Sequence, residues 1–268
     1  MLRKLSITVL TIALLAISVT AHDLFLKLDS YFLPPNSKAV VRVLNGTFQK
    51  SDGAVARERL ADLSVFSNGT AASSESIAWR AEEKLSVMEI QTGGPGTYLV
   101  GISTRPREIE LRAADFNSYL AEDGLPDILA ARKKSHELGK DARERYSKHV
   151  RAVFQVGDLR TDDYKRPLNY PVEIIPQENP YSLKVGQTLP VLCLLDGKPL
   201  ANQFVIAGWE SHHGKIISIG LRTNARGIAR FKLSGAGKWF VKLIHMVPVT
   251  EANLNYESKW ATLTFDTR

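Results

Sequence analysis

Hydrophobic and polar positions divide the chain into four textures. Residues 5–19 form an unbroken uncharged run rich in Leu, Ile, Val and Ala. From His22 to about Leu111 the pattern becomes short and alternating. Leu24, Leu26 and Leu28 fall on one side of a strand, and residues 40–44 read as a strand that ends at Asn45-Gly46. Residues 85–90 form another, followed by Gly93-Gly94-Pro95-Gly96 and a strand over 97–102. Short alternating stretches with Gly and Pro between them predict an antiparallel sandwich. From about Ala113 to Val156 the period changes. Phe116 and Leu120, then Leu125, Ile128 and Leu129, recur at helical spacing, and 132–153 is rich in the helix formers Lys, Arg, Glu and Ala. This predicts two or three helices over 112–157. From about Pro167 onward the pattern is again β: strands over 172–176, 188–195, 204–209, 228–231, 240–245 and 260–265, with Asp196-Gly197 as a hairpin signal. The expected fold is therefore mainly β. It has two antiparallel β-sandwich domains, over 22–111 and 158–268, joined by a helical segment. The density of strands in the second makes it immunoglobulin-like or transthyretin-like.

The first run changes what this fold is for. Arg3 and Lys4 precede it, and Val19-Thr20-Ala21 follow it with small residues. That is the layout of a cleavable signal peptide over residues 1–21. The run is short for a membrane-spanning helix, and no later stretch is long and apolar enough to be one. The expected location is the periplasm, with a mature chain beginning at His22. Of the 268 residues, 44% are hydrophobic and 24% charged, which is ordinary for a globular protein. The formal charge of +7 is a mild basic surplus without a long basic run, and it argues against nucleic-acid binding. Arg132-Lys133-Lys134 reads as a solvated helix face. The single cysteine, Cys193, lies in an apolar strand-like run and reads as a buried thiol.

Most enzyme signatures are absent: there is no Gly-x-Ser-x-Gly elbow, phosphate-binding Gly-rich loop, His-Glu-x-x-His helix or Cys-x-x-Cys pair. Candidate chemistry rests on the six histidines. A cut after Ala21 would give His22 a free α-amine beside its imidazole, and those two nitrogens can close a chelate ring on one ion. The amine loses its proton readily near neutrality, and such donors suit nickel, cobalt, copper and zinc. Further ligands must come from the fold. His245, at the end of a strand, and His212-His213, near a turn, are the candidates. Asp23 could ligate or orient the imidazole from behind. His136 and His149 lie in the charged helical stretch and read as surface residues.

The quoted start, Ala21-His22-Asp23-Leu24-Phe25-Leu26, resembles that of a bacterial family of exported proteins of unknown function. That family is described as periplasmic components associated with nickel or cobalt uptake. Phe116-Asn117, Tyr119-Leu120 and Gly124 are similar to the family's helical segment, and Arg145-Tyr146-Ser147 to the element after it. His149-Val150 departs from the pattern, where a small residue is expected. Glu173-Ile174-Ile175-Pro176, Asn179-Pro180-Tyr181, His245 and Glu257-Ser258-Lys259-Trp260 are similar to its later part. The resemblance implies export, a β-rich fold and a divalent metal, with nickel or cobalt favoured and a membrane metal transporter as partner.

Three functions follow as expectations. The first is a periplasmic accessory protein that captures a divalent metal through His22, Asp23 and His245, with His212 or His213 as further ligands. The second is a binding module for a glycan, peptide or cell-envelope partner, in which Tyr181 or Trp209 would be exposed. The third is a copper oxidase using the His22 chelate. The absence of catalytic signatures favours a non-enzyme.

Overall fold

The computed structural model describes residues 22–73, 76–211 and 213–268. The expected signal peptide over 1–21 and the candidate ligand His212 lie outside these residues. In chain order the first half contains β1 (Asp23–Leu28), β2 (Phe32–Leu33), β3 (Lys38–Gly46), β4 (Ser51–Gly53) and β5 (Leu60–Ser67). It continues with β6 (Thr70–Ala71), β7 (Ile77–Ala81), β8 (Ser86–Gln91), β9 (Gly96–Thr104) and β10 (Arg107–Leu111). Two helices follow, α1 (Ala113–Glu122) and α2 (Pro126–Lys134). The second half contains β11 (Ala142–Val156), β12 (Val172–Pro176), β13 (Thr188–Leu195), β14 (Lys198–Pro199) and β15 (Phe204–Glu210). It ends with β16 (Ile216–Arg222), β17 (Ile228–Lys232), β18 (Gly237–Pro248) and β19 (Tyr256–Thr267).

The chain is mainly β, as the alternation predicts, and its strands form three sheets. A central ten-stranded sheet runs β16-β15-β18-β19-β11-β9-β5-β6, with β2 and β10 also paired to β11. A five-stranded sheet, β1-β3-β8-β7 with β4 on β3, covers one face. A four-stranded sheet, β12-β13-β14 with β17 on β13, covers the other. The pairings are antiparallel except β11 with β19 and β11 with β2. The central sheet thus draws strands from both β regions of the sequence and joins them through the parallel β11–β19 pair.

Side-chain alternation assigns each face of the central sheet its own core. Val241, Leu243 and Trp239 of β18 pack with Ile174, Val191 and Phe231 of the four-stranded sheet. Val150, Ala152 and Phe154 of β11 pack with Leu26, Val41 and Met88 of the five-stranded sheet. On that same side, Ile244, Met246 and Trp260 meet Phe116, Tyr119 and Leu120 of α1. Two kinds of cover therefore share one face, the five-stranded sheet and the helical pair, and a seam runs between them. Strand β1 is an edge of its sheet. Its Leu24 carbonyl accepts a hydrogen bond from Thr262 Oγ1 of the central sheet at 2.8 Å, which ties the edge down onto β19.

Helix α1 exists for the reason its spacing predicts: Phe116 and Leu120 lie one turn apart and are both fully buried. The chain leaves it through Gly124, whose φ of +84° suits glycine, with the Leu125 N–H returning to the Leu120 carbonyl. Pro126 then opens α2 at a position where its missing N–H costs nothing.

Helix ends at Lys134, and the expected helical continuation is instead the longest strand, β11. Its composition favours helix, but both its faces are buried between other layers, so pairing with β9, β10 and β19 outweighs propensity. Two surface expectations change with it. His149 is buried, and its imidazole lies 2.9 Å from Ser103 Oγ and 3.0 Å from Ser147 Oγ. Arg132 is also buried: it donates to the carbonyls of Glu137 and Lys140, and its guanidinium stacks 4.9 Å above the Phe116 ring. Cys193 is buried as expected, and burial alone pushes its thiol up to about 12.

Candidate functional site at the start of strand β1

Strand β1 begins at the seam between the five-stranded sheet and the helices. Residue pairing sets Asp23 opposite Gly46 of β3, and β4 folds back onto that end of β3. The turn is tight because Gly46 lacks a Cβ: one there would lie 2.4 Å from the Lys50 carbonyl oxygen and 2.9 Å from Asp52 Oδ2. The return brings Asp52 to His22, with Oδ2 3.4 Å from Nδ1. About a third of each side chain is exposed, at 32% and 35%.

Behind this pair the seam buries a row of charges. Asp23 Oδ2 accepts from the Lys242 ammonium of β18 at 2.5 Å, and Asp123 at the end of α1 accepts from the same ammonium at 2.7 Å. Burial alone would lower the Lys242 ammonium, but the two carboxylates outweigh it and hold the group above its usual range. Burial raises Asp123, reinforced by the charge of Asp23 and opposed by Lys242. Asp23 Oδ1 is buried without a hydrogen-bond partner. Two strands further on, Glu144 of β11 accepts from the hydroxyls of Tyr119 and Ser258, and burial raises its carboxyl. Lys148 of β11 donates to the His22 carbonyl and, at 3.1 Å, to Asn45 Oδ1. Burial pushes its ammonium down to about 8.

Of the five expected ligands, His212 lies outside the described residues, and the other four do not share one place. His22 and Asp23 lie together at the seam. His245 is on β18 but projects with Leu243 and Val241 toward the four-stranded sheet, while Lys242 projects toward Asp23. A strand's alternation therefore puts His245 on the far face of the central sheet, where its Nδ1 pairs with Gln203 Oε1 at 3.2 Å. Burial, then the charge of Lys259, lowers its imidazole. His213 is exposed in the turn before β16. That turn touches the hairpin carrying Asp52, but through Gln49, whose amide donates to the Gly214 carbonyl at 2.5 Å. Among the described residues no three His, Cys, Asp or Glu side chains are grouped to hold a metal ion. The aromatic candidates are packed: Tyr181 meets Phe32 edge-on at 5.2 Å, and Trp209 stacks on Trp239 at 6.1 Å.

Sequence reasoning missed Asp52, Lys242, Asp123 and Lys148. Asp52 carried a faint signal, an acidic residue a few positions beyond the Asn45-Gly46 turn. The lysines carried none, because a charged residue in a strand reads as solvent-facing.

Packed, mostly antiparallel sheets with a buried polar seam define a mainly β protein. Residues 19–247 match the model of a domain of unknown function, DUF4198, and the chain belongs to that family. No curated protein matches it. Among solved structures it is similar to the D0-D1 domain of Intimin, at 12% identity over 90% of this chain and 97% of that one, with a TM-score of 0.22. It is also similar to murine CEACAM1b, at 9% identity over 92% and 99%, with a TM-score of 0.21. A DUF4785 family protein from Legionella pneumophila matches at 8% identity over 81% and 50%, with a TM-score of 0.23. These scores are too low to transfer an activity. Among the described residues, no helix is long and apolar enough to cross a membrane.

Proposed function

We propose that this is an exported accessory protein that binds a divalent transition metal at the start of β1. The observation that carries the reading is the approach of Asp52 to the partly exposed imidazole of His22. Those two side chains are too few to hold an ion, so the α-amine created by a cut after Ala21 must be the third donor. Imidazole, amine and carboxylate together suit nickel, cobalt, copper or zinc. The unpartnered Asp23 Oδ1 behind them offers a further oxygen. Nickel or cobalt is the expected cargo, and a membrane metal transporter the expected recipient, on the strength of the family resemblance. His245 has no place at this centre.

The test is a metal titration of processed protein whose first residue has been confirmed by mass spectrometry. One added residue before His22, and separately Asp52→Ala, should each weaken nickel binding by at least about tenfold. Affinity unchanged by the added residue refutes the chelate. A copper oxidase would need a second histidine beside His22, and His245 does not supply it. The non-metal binding module is favoured by a separate feature, a cationic cleft on the other side of Lys148.

A further inference from the structure

Lys148 faces two ways. Toward α1 it feels the charges of Asp23, Glu144 and Asp123, and toward the β3–β4 hairpin it lines a cleft of about 130 Å³. Arg59, at the end of a short turn before β5, and Arg107, the first residue of β10, line the same cleft. Tyr146, Asn45 and Thr104 supply its polar wall. Among the described residues, no carboxylate lines it.

Three cations converging on one concavity repel one another. Their positions are fixed by the fold: Arg107 pairs with Tyr146 across the β10–β11 ladder, the Arg59 carbonyl accepts from the Arg105 N–H at 2.8 Å, and the Lys148 N–H donates to Thr104 Oγ1 at 2.9 Å. Several arginines elsewhere on the surface are matched by carboxylates. Arg143 and Arg145 share Glu108, and Arg222 takes Asp127. Among the described residues, no carboxylate forms an ion pair with Arg59, Arg107 or Lys148. Burial and the charge of Arg107 both lower the Arg59 guanidinium, in keeping with crowding of like charge that a bound anion would relieve.

We infer that this cleft is a binding site for a compact oxyanion, a phosphate, sulfate or carboxylate group. Guanidinium groups match the paired oxygens of such ions with two parallel N–H bonds, and an ammonium adds a point charge. The size fits that class: it is well under the roughly 300 Å³ at which pockets for drug-sized ligands begin. The site is distinct from the His22–Asp52 pair and does not depend on a metal.

Isothermal titration in metal-free buffer, at constant ionic strength set with chloride, tests it. The probes are inorganic phosphate, sulfate and acetate. The wild type should bind at least one of them with a stoichiometry of one. Arg107→Gln, an exposed position whose loss leaves the fold intact, and Arg59→Gln should each weaken that binding at least about tenfold. Lys198→Gln removes one positive charge from an exposed turn of the four-stranded sheet and should leave binding unchanged. Preference for phosphate and sulfate over acetate identifies a tetrahedral group, and the reverse a carboxylate. Failure of all three anions to bind, or equal weakening by Lys198→Gln, overturns the site. Neither outcome touches the metal reading, which is measured in the absence of these anions.

Discussion

His149 should make the protein acid-sensitive in a defined window. An imidazole in the unfolded chain titrates near 6.5, but burial, with the nearby charge of Lys259, pushes the folded one down to about 4. Between these values the unfolded chain binds a proton that the folded protein refuses, so stability falls as pH falls. The contribution is fully present above pH 6.5 and is lost progressively toward 4. For one such group the loss is about 2 kcal/mol by pH 5 and about 3 kcal/mol by pH 4. Ser103 and Ser147 do not prevent this, since their hydroxyls can donate or accept and so satisfy the neutral ring as well as the charged one. The assay is urea unfolding at pH 7.5 and pH 5 for the wild type and for His149→Gln, which keeps polar atoms between the two serines but cannot titrate. The surface carboxylates are common to both proteins and cancel. The wild type should lose about 2 kcal/mol more than the variant across that interval. Equal losses would refute the reasoning, because they would mean that His149 takes up its proton within the fold.

Further outcomes follow from the same structure. Glu173→Ala strands the buried Arg151 guanidinium and also removes the acceptor of the Leu168 N–H, and should cost about 3–5 kcal/mol in denaturant unfolding. Lys148, folded at about 8 against 10.5 unfolded, binds its proton less readily in the fold, so stability should rise by about 3 kcal/mol as pH climbs through that window. Lys148→Met should flatten the rise in thermal melts taken between pH 7.5 and 10.5. Gly46→Ala should destabilise by about 1–3 kcal/mol, because its Cβ would meet the Lys50 carbonyl. It should also displace Asp52 and so weaken nickel binding in the titration that tests His22.

Strands whose apolar residues keep a period of two were legible, and those with polar residues buried on both faces were not. Leu24, Leu26 and Leu28 share one core while Phe25 turns to a separate cluster with Phe48 and Phe240, so the period of two survives although both faces are covered. Asp196-Gly197 announces its hairpin because both residues take positive φ. In β11 the faces carry Glu144, Tyr146 and Lys148 on one side and Ser147, His149 and Arg151 on the other, all wholly or largely buried. Alternation vanishes when both faces are inside and both hold polar residues, and the remaining signal, helix-forming composition, points the wrong way. The His22 neighbourhood was half legible for a related reason. Its own chemistry is local to the chain, whereas Asp52 reaches it by hairpin geometry and Lys242 from the far end of the sequence. His245 shows the limit of counting donors, since one step along a strand decides which side of a sheet a ligand serves.

The charge pattern of the seam carries the functional argument further than any single residue. The face of β11 that holds Glu144, Tyr146 and Lys148 continues as Val150, Ala152 and Phe154, and the change falls where cover by the five-stranded sheet gives way to α1. Apolar side chains would close that gap without the several kcal/mol of desolvation that each buried ion costs. Instead the seam is polarised. Asp23, Asp123 and Glu144 gather toward α1, while Arg59 and Arg107 gather beyond Lys148 toward the β3–β4 hairpin. The Lys242 ammonium occupies the first end between Asp23 and Asp123, and an anion is drawn to the second. Lys148 joins them, since the ammonium that lines the cleft also holds the carbonyl of His22. An anion that draws this ammonium away would release that carbonyl, so by linkage metal and anion should each alter the affinity for the other by the same factor. Nickel titrations with and without saturating anion, in the wild type and in Lys148→Met, would show the coupling, and its survival in the variant would rule out Lys148 as the connection.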